Sequence, residues 1–151
     1  MRYATPLFLG LKDFFLANFN TVLQAVAATT QQTVPNVNYF ANGAEDVFSL
    51  KKYPGMLFIP GPRTPDMETQ LSAVSVDLIA IVQGPSEAAV AAAQAVYADA
   101  IFKIVTDMPT FGGLCDNAQI DGDIDPMIPV QGLKLAGIVM ARIRCTLDER
   151  A

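Results

Sequence analysis

Histidine and tryptophan are absent from the 151 residues, cysteine occurs twice, and charged residues reach only 17%. Each shortage removes a class of function. Without histidine there is no Ser-His-Asp or Cys-His nucleophile, and the commonest acid–base group and metal ligand is gone. Cys115 and Cys145 stand 30 positions apart, outside any CxxC pattern, so no zinc-type site is spelled out. They are expected to be two small apolar fillers in a reducing compartment, with a disulfide between C-terminal strands as the lesser alternative. Gly55, Gly61, Gly84, Gly112 and Gly113 are scattered turn glycines. They form neither GxGxxG nor GxxxxGK[ST], so no phosphate cradle is signalled. Ten Lys+Arg against fifteen Asp+Glu give a net charge of −5. That is the wrong sign for a chain that neutralises nucleic-acid phosphates.

What the chain has instead is apolar surface: 52% hydrophobic residues and a mean hydropathy of +0.33. Ordinary soluble chains carry about 25% charged residues. The shortfall calls for a membrane or a buried interface. A spanning helix needs roughly 18 or more uninterrupted apolar residues. Leu7 to Val26 contains Lys12, Asp13, Asn18, Asn20 and Gln24, and Ser86 to Met108 contains Glu87, Asp99, Lys103 and Asp107. Neither is expected to span. Lys12-Asp13 also cuts the only signal-like apolar run, so a cytoplasmic location is expected. The length suits one domain, residues 1–151.

Periodicity predicts a helix from Thr5 to about Ala28, with Phe8, Leu11, Phe15, Phe19, Val22 and Val26 on its stripe. Leu7, Phe14, Leu16 and Leu23 widen that stripe so far that some cover is expected from a neighbouring chain. Thr29 to Pro35 reads as a polar loop, Asn36 to Phe40 as a short strand, and Asn42-Gly43 as a turn. Tyr53-Pro-Gly55 turns into Met56 to Ile59, a strand whose following prolines suit an edge. Pro60 to Gln70, with Arg63, Asp66 and Glu68, is expected to be a mobile loop or a hairpin tip. Val74 to Val82 is a strand with Val74, Val76, Leu78, Ala80 and Val82 on one face and Ser75, Asp77, Ile79 and Ile81 on the other. Gly84-Pro85 ends it, and Ser86 caps an alanine-rich helix with Glu87 in its first turn. Val90, Tyr97, Ile101, Ile104, Val105 and Met108 are its sheet-facing stripe, and the alanines make the rest slim enough for another backbone to approach. Pro109 ends the helix. Strands Leu114 to Ile124 and Leu133 to Leu147 close the chain. The class is α+β: a mainly antiparallel sheet of about four strands with two long helices packed on it.

Two constellations stand out. Asp121-Gly-Asp-Ile-Asp125 looks calcium-like, but an EF-hand loop counted from Asp121 would need Gly and Glu where Pro126 and Gly132 stand. A solvated strand end is the expectation, a weak cation site the alternative. No companion acid is placed for hydrolytic work. The last strand alternates so that Ile138, Met140, Arg142 and Arg144 share a mixed face. Asp77, Ile79 and Ile81 lie on the mixed face of the earlier strand. The first helix is the expected cover for the four apolar residues, a partner the alternative. Asp77 and the arginines suit a cross-strand ion pair or contact with another subunit equally well.

The order of elements then resembles the tail terminator and tail-completion proteins of tailed bacteriophages. It runs through an N-terminal helix, a β-run at Tyr53-Pro-Gly-Met-Leu-Phe-Ile59, a long strand and an alanine-rich helix. The exit Thr110-Phe111-Gly112-Gly113, the one local motif, leads into two closing strands. Residues 29 to 52 have no counterpart. The resemblance implies a hexameric ring that caps the finished tail tube and presents a surface to the head connector or neck, with the sheath protein as a further contact. It implies no enzyme, no cofactor and no metal, and a place in the virion after assembly in the host cytoplasm. The expected subunit contacts are the sheet edges and Ile79, Ile81, Ile138, Met140, Arg142 and Arg144. Tube or connector contacts are expected from the Pro60–Gln70 loop, with Arg63, Asp66 and Glu68, and from the Asp121–Gln131 segment, with Asp121, Asp123 and Asp125. Rival readings are another neck or head-completion ring, a small ligand-binding α+β module, and, last, an enzyme.

Overall fold

The computed structural model describes residues 3–43, 54–127, 136–148 and 150. Tyr53, the start of the last expected strand at Leu133, and the end of the Asp121–Gln131 segment lie outside the described residues.

Helix α1 (Ala4–Thr29) buries Leu7, Leu11, Phe15, Phe19, Leu23 and Ala27. Steps of four make this an inclined ridge of the kind that fits a neighbouring helix. The buried stripe is therefore rotated from the expected one: Phe8, Val22 and Val26 are only partly buried. Leu9 and Leu16 stay 52% and 57% exposed, so the chain's own core takes one ridge of an over-apolar helix and leaves the other side bare.

The polar residues that argued against a membrane span have local partners. Asn20 accepts from the Val37 N–H at 2.8 Å and donates to the Val37 carbonyl at 3.1 Å. Gln24 donates to the Val34 carbonyl at 3.1 Å and to Asn36 at 2.7 Å. They tie the segment after α1 back along the helix.

That segment leads to β1 (Tyr39–Asn42), followed by β2 (Gly55–Asp66) and β3 (Leu71–Gln83). After helix α2 (Glu87–Asp107) come β4 (Asn117–Ile120), β5 (Asp125–Met127) and β6 (Ala136–Asp148). The strand order is β1-β2-β3-β6-β4, and β5 also pairs with β6. The sheet is thus six-stranded and mixed, where about four mainly antiparallel strands were expected: β1 runs parallel to β2. A parallel neighbour needs a long crossover and leaves no hairpin signal. Strands of three or four residues also carry too little alternation to be read.

Of the two readings of the Pro60–Gln70 stretch, the hairpin tip holds and the mobile loop does not: it is the second half of β2 with the turn into β3. Phe58 turns its carbonyl outward, where it accepts from the Gly43 N–H at 2.7 Å. By alternation Pro60 also faces outward, so its missing N–H breaks no bond to β3. A bulge between Pro60 and Arg63 follows. The reversal is built by Asp66, whose carboxylate accepts from the N–H groups of Glu68 (3.0 Å) and Thr69 (3.3 Å).

Ser86 accepts from the Ala89 N–H at 3.1 Å and opens α2, as its hydroxyl leads one to expect. Contrary to expectation, α2 is long and apolar enough to cross a membrane by length and composition alone, since two of its four charges, Glu87 and Asp107, are its end residues. Its buried stripe, Val90, Ala93, Gln94, Val96, Tyr97, Ala100, Ile101, Ile104 and Val105, faces the protein core. Tyr97 donates to the Pro35 carbonyl at 2.7 Å, and burial pushes its hydroxyl well above the usual phenol range. After α2 the chain reverses through Phe111, Gly112 and Gly113, all at positive φ. This turn shortens the expected strand from Leu114 to the four residues of β4.

Both helices pack on one face of the sheet. There Met56, Phe58, Val76, Leu78, Val139, Ile143 and Leu147 join the buried ridges of α1 and α2 in one core. Leu57, Ile81 and Ile138 form a second, small cluster on the opposite face, with Tyr39, Ala41, Ile79 and Met140 packed around it. The expectation that α1 covers Ile79, Ile81, Ile138 and Met140 is therefore corrected: α1 lies on the other side. The alternation of β3 and β6 is responsible, because their cleaner apolar faces take both helices.

Candidate functional site

The register of the sheet arranges its helix-free face in rows. Ala41, Leu57, Ile79, Met140 and Asp125 lie side by side across five strands. The next row is Ile59, Asp77 and Arg142, and beyond it come Ser75, Arg144 and Gln119. The face thus grades from apolar to charged to polar within a few residues along each strand.

Asp77 and Arg142 form a two-point fork, with Nε to Oδ1 at 2.7 Å and the terminal nitrogen to Oδ2 at 3.1 Å. The hydrogen bonds it donates to Asp77, then the charge of that carboxylate, raise the Arg142 guanidinium above its ordinary value. Asp121 adds a smaller push in the same direction, and its N–H donates to the Arg142 carbonyl at 2.8 Å. The fork is the cross-strand ion pair that the sequence allowed.

Around it lies an open hollow of about 420 Å³ lined by Asp77, Asp121, Asp123, Asp125, Met140, Ala141 and Arg142. Residues assigned to two separate surfaces, one for subunits and one for the tube, thereby meet in one place. Four carboxylates face a single guanidinium there, so the hollow is strongly acidic. Among the described residues no three acidic or cysteine groups converge to hold a metal ion. The chemistry on offer is recognition: an apolar strip for contact and carboxylates for a basic group.

The other expected contact residues divide. Ile81 and Ile138 are buried in the chain's own small cluster and offer almost no contact area, which corrects their assignment to a subunit surface. Ile79 and Met140 are half-buried, and Arg144 is exposed. Arg63, Asp66 and Glu68 stand apart on the β2–β3 hairpin. Arg63 donates to the Ser72 hydroxyl at 3.4 Å, and Asp66 is occupied in building the turn. Tyr39, Ala41 and Leu57 also belong to the apolar strip, a placement that residue spacing does not show because only the β1–β2 pairing brings them there. Leu57 stood in a visible apolar run; its face did not.

Hydrogen bonds from Thr69 and Glu68 hold the Asp66 carboxyl below its ordinary value. A depressed folded value stabilises the turn above the unfolded value of about 3.9, and this is lost as pH falls through the folded value. Asp66→Ala is therefore expected to lower the thermal midpoint at pH 7 and to lose that difference progressively below about pH 4. Melting curves of both proteins across pH check this; a difference that persists unchanged at pH 2 sinks it.

No protein-family model matches the chain, and no curated protein matches it.

Proposed function

We propose that this chain is a structural protein of a bacteriophage tail, of the tail-terminator kind. It assembles into a ring, hexameric by the resemblance, that caps the tail tube and joins it to the head connector or neck. Its place is the virion, its partners are its own copies, the tube protein, the connector or neck protein and the sheath protein, and it is not an enzyme. The observation that carries this reading is the helix-free sheet face, where the strip of Ile79 and Met140 adjoins the Asp77–Arg142 fork and the acidic hollow. Apolar contact beside directional charge suits a surface that must find one partner in one register.

The contact runs through the face rather than through strand pairing, which modifies the expectation that sheet edges join subunits. Proline at β2's outer edge removes a donor where a new strand would dock. On the other side Gly122 at positive φ separates β4 from β5, and charged Asp121 and Asp123 flank it. Such features blunt edges against pairing. Arg144, exposed and opposite uncharged Ser75 and Gln119, is the cation the face presents to an acidic hollow on a neighbouring copy. The β2–β3 hairpin, with Arg63, Glu68 and an 84% exposed Met67, is the element that reaches the tube or connector.

Light scattering across a dilution series tests the ring. A hexamer-sized species that also blocks polymerisation of tube protein supports the terminator role. A ring that leaves polymerisation untouched points to a neck or head-completion protein instead. A strict monomer, alone and on tubes, overturns the assembly reading. Within it, reversing charge at Arg142 and Arg144 together is expected to weaken assembly at least 10-fold while helix content is retained, on the order of one lost charge contact. Unchanged assembly at physiological salt removes these two residues from the interface.

A further inference from the structure

Asn42-Gly43 is the single Asn-Gly step in the chain. Its asparagine closes strand β1, where it pairs with Phe58 in the parallel ladder and is therefore extended. Gly43 follows at φ +95°, with open space where a Cβ would stand. The Gly43 N–H donates to the Phe58 carbonyl at 2.7 Å and fastens the end of β1 to β2. Oδ1 of Asn42 is buried and has no hydrogen-bond partner among the described residues. These facts bear on one reaction. An asparagine before glycine loses its amide when the next backbone nitrogen attacks Cγ, because no side chain hinders the five-membered ring that forms. Attack needs a free Gly43 nitrogen, and the bond to Phe58 occupies its proton. It needs Cγ to swing over that nitrogen, and the extended backbone of β1 holds it away. It also throws negative charge onto Oδ1, which buried surroundings without a donor do not stabilise.

We propose that Asn42 is a deamidation site gated by the pairing of β1 with β2: protected while the strands are joined, reactive when the end of β1 opens. The Gly43 nitrogen forms a bond to Asn42 Cγ, the Cγ–Nδ2 bond breaks, and ammonia leaves with the Gly43 proton. Water then opens the ring at either carbonyl and leaves aspartate or isoaspartate at position 42. One amide and one water become one carboxylic acid and one ammonia, with no oxidant or reductant. The product does not pair again as Asn42 did. A carboxylate oxygen in the place of Oδ1 is a buried charge without a donor. Isoaspartate also adds a main-chain carbon, which breaks the register of position 42 with Phe58. Opening is thereby converted into a one-way release of β1, and Tyr39 and Ala41 leave the apolar strip with it. This inference is independent of the ring reading.

The test incubates the full chain at mildly alkaline pH, folded in buffer and unfolded in urea, and follows the peptide containing residue 42 by mass and chromatography. The expected result is conversion to aspartate and isoaspartate in urea, and conversion slower by at least about 10-fold in buffer, where it waits on local opening. Hydrogen exchange should find the Gly43 amide protected in fresh protein. In the converted fraction, separated by its added negative charge, that protection should be lost. Asn42→Gln, whose longer side chain closes a ring far less readily, should gain no charge at position 42 in either condition. Equal rates in buffer and urea overturn the gating, and an unconverted Asn42 in urea overturns the site. A converted fraction that keeps the Gly43 amide protected overturns the one-way release. The rate and exchange measurements need only the unaltered chain, so a variant that fails to fold does not blunt them.

Discussion

Phe15→Ala is expected to cost about 3–5 kcal/mol of folding stability, the range for removing a fully buried aromatic ring. That is a large share of the roughly 5–15 kcal/mol a small domain possesses. Phe15 is fully buried and stands at the centre of an aromatic cluster. Its ring centroid lies 5.3 Å from Phe58 and 5.9 Å from Phe111, both edge-on, and 5.9 Å from Phe19, stacked. One side chain thus joins α1, strand β2 and the turn that follows α2. Truncation leaves a cavity whose walls belong to three elements, and they cannot close on it together. Urea unfolding of the two proteins measures the difference. A loss below about 1.5 kcal/mol would mean that the cluster collapses around the gap and that the hub assignment is wrong. Leu16→Ala, one residue away but largely exposed, should fall within about 0.5 kcal/mol of the parent.

Gly137→Ala is expected to destabilise by about 1–3 kcal/mol through overpacking. A Cβ at Gly137 would sit 2.6 Å from Cδ and Nε2 of Gln94 and 2.8 Å from Cγ1 of Val90. Neither neighbour is free to give way. Gln94 is buried and donates to the Ile138 carbonyl at 3.0 Å, and Val90 lies in the core. Glycine here lets the first turns of α2 lie directly on the backbone of β6. The double-mutant cycle with Gln94→Ala separates this from a general weakening of the strand. Shortening Gln94 opens space, so the cost of Gly137→Ala should fall in that background. Equal cost in both backgrounds would show that Gln94 does not limit the approach.

The mixed face of the sheet illustrates what a pattern can and cannot carry. Alternation along β3 and β6 placed Asp77, Ile79, Ile81, Ile138, Met140, Arg142 and Arg144 on one side, because successive strand residues point to opposite faces whatever the fold. It could not say which layer would cover that side. The helices went to the cleaner apolar faces, and the expected cover by α1 was wrong for that reason. Nor could alternation distinguish Ile79 from Ile81. One ends half-buried at the surface and the other fully buried, a difference set by neighbours in the sheet.

What the sequence determined alone is local and periodic. The alanine-rich helix with its Ser86 cap, the apolar faces of β3 and β6, the turn at residues 110–113 and the absence of histidine chemistry all follow from residue type and spacing within a few turns or strands. Tertiary structure decided everything that depends on distant partners. It paired β1 parallel to β2, carried β2 through its prolines to Asp66, turned α1 onto the ridge Leu7–Leu11–Phe15–Phe19 and gathered Asp77, Asp121, Asp123 and Asp125 around Arg142. It also buried Cys115 and Cys145 in the same core cluster. The physical reason is common to all of these: a local pattern states which face of a segment is apolar, but only long-range packing chooses what that face meets.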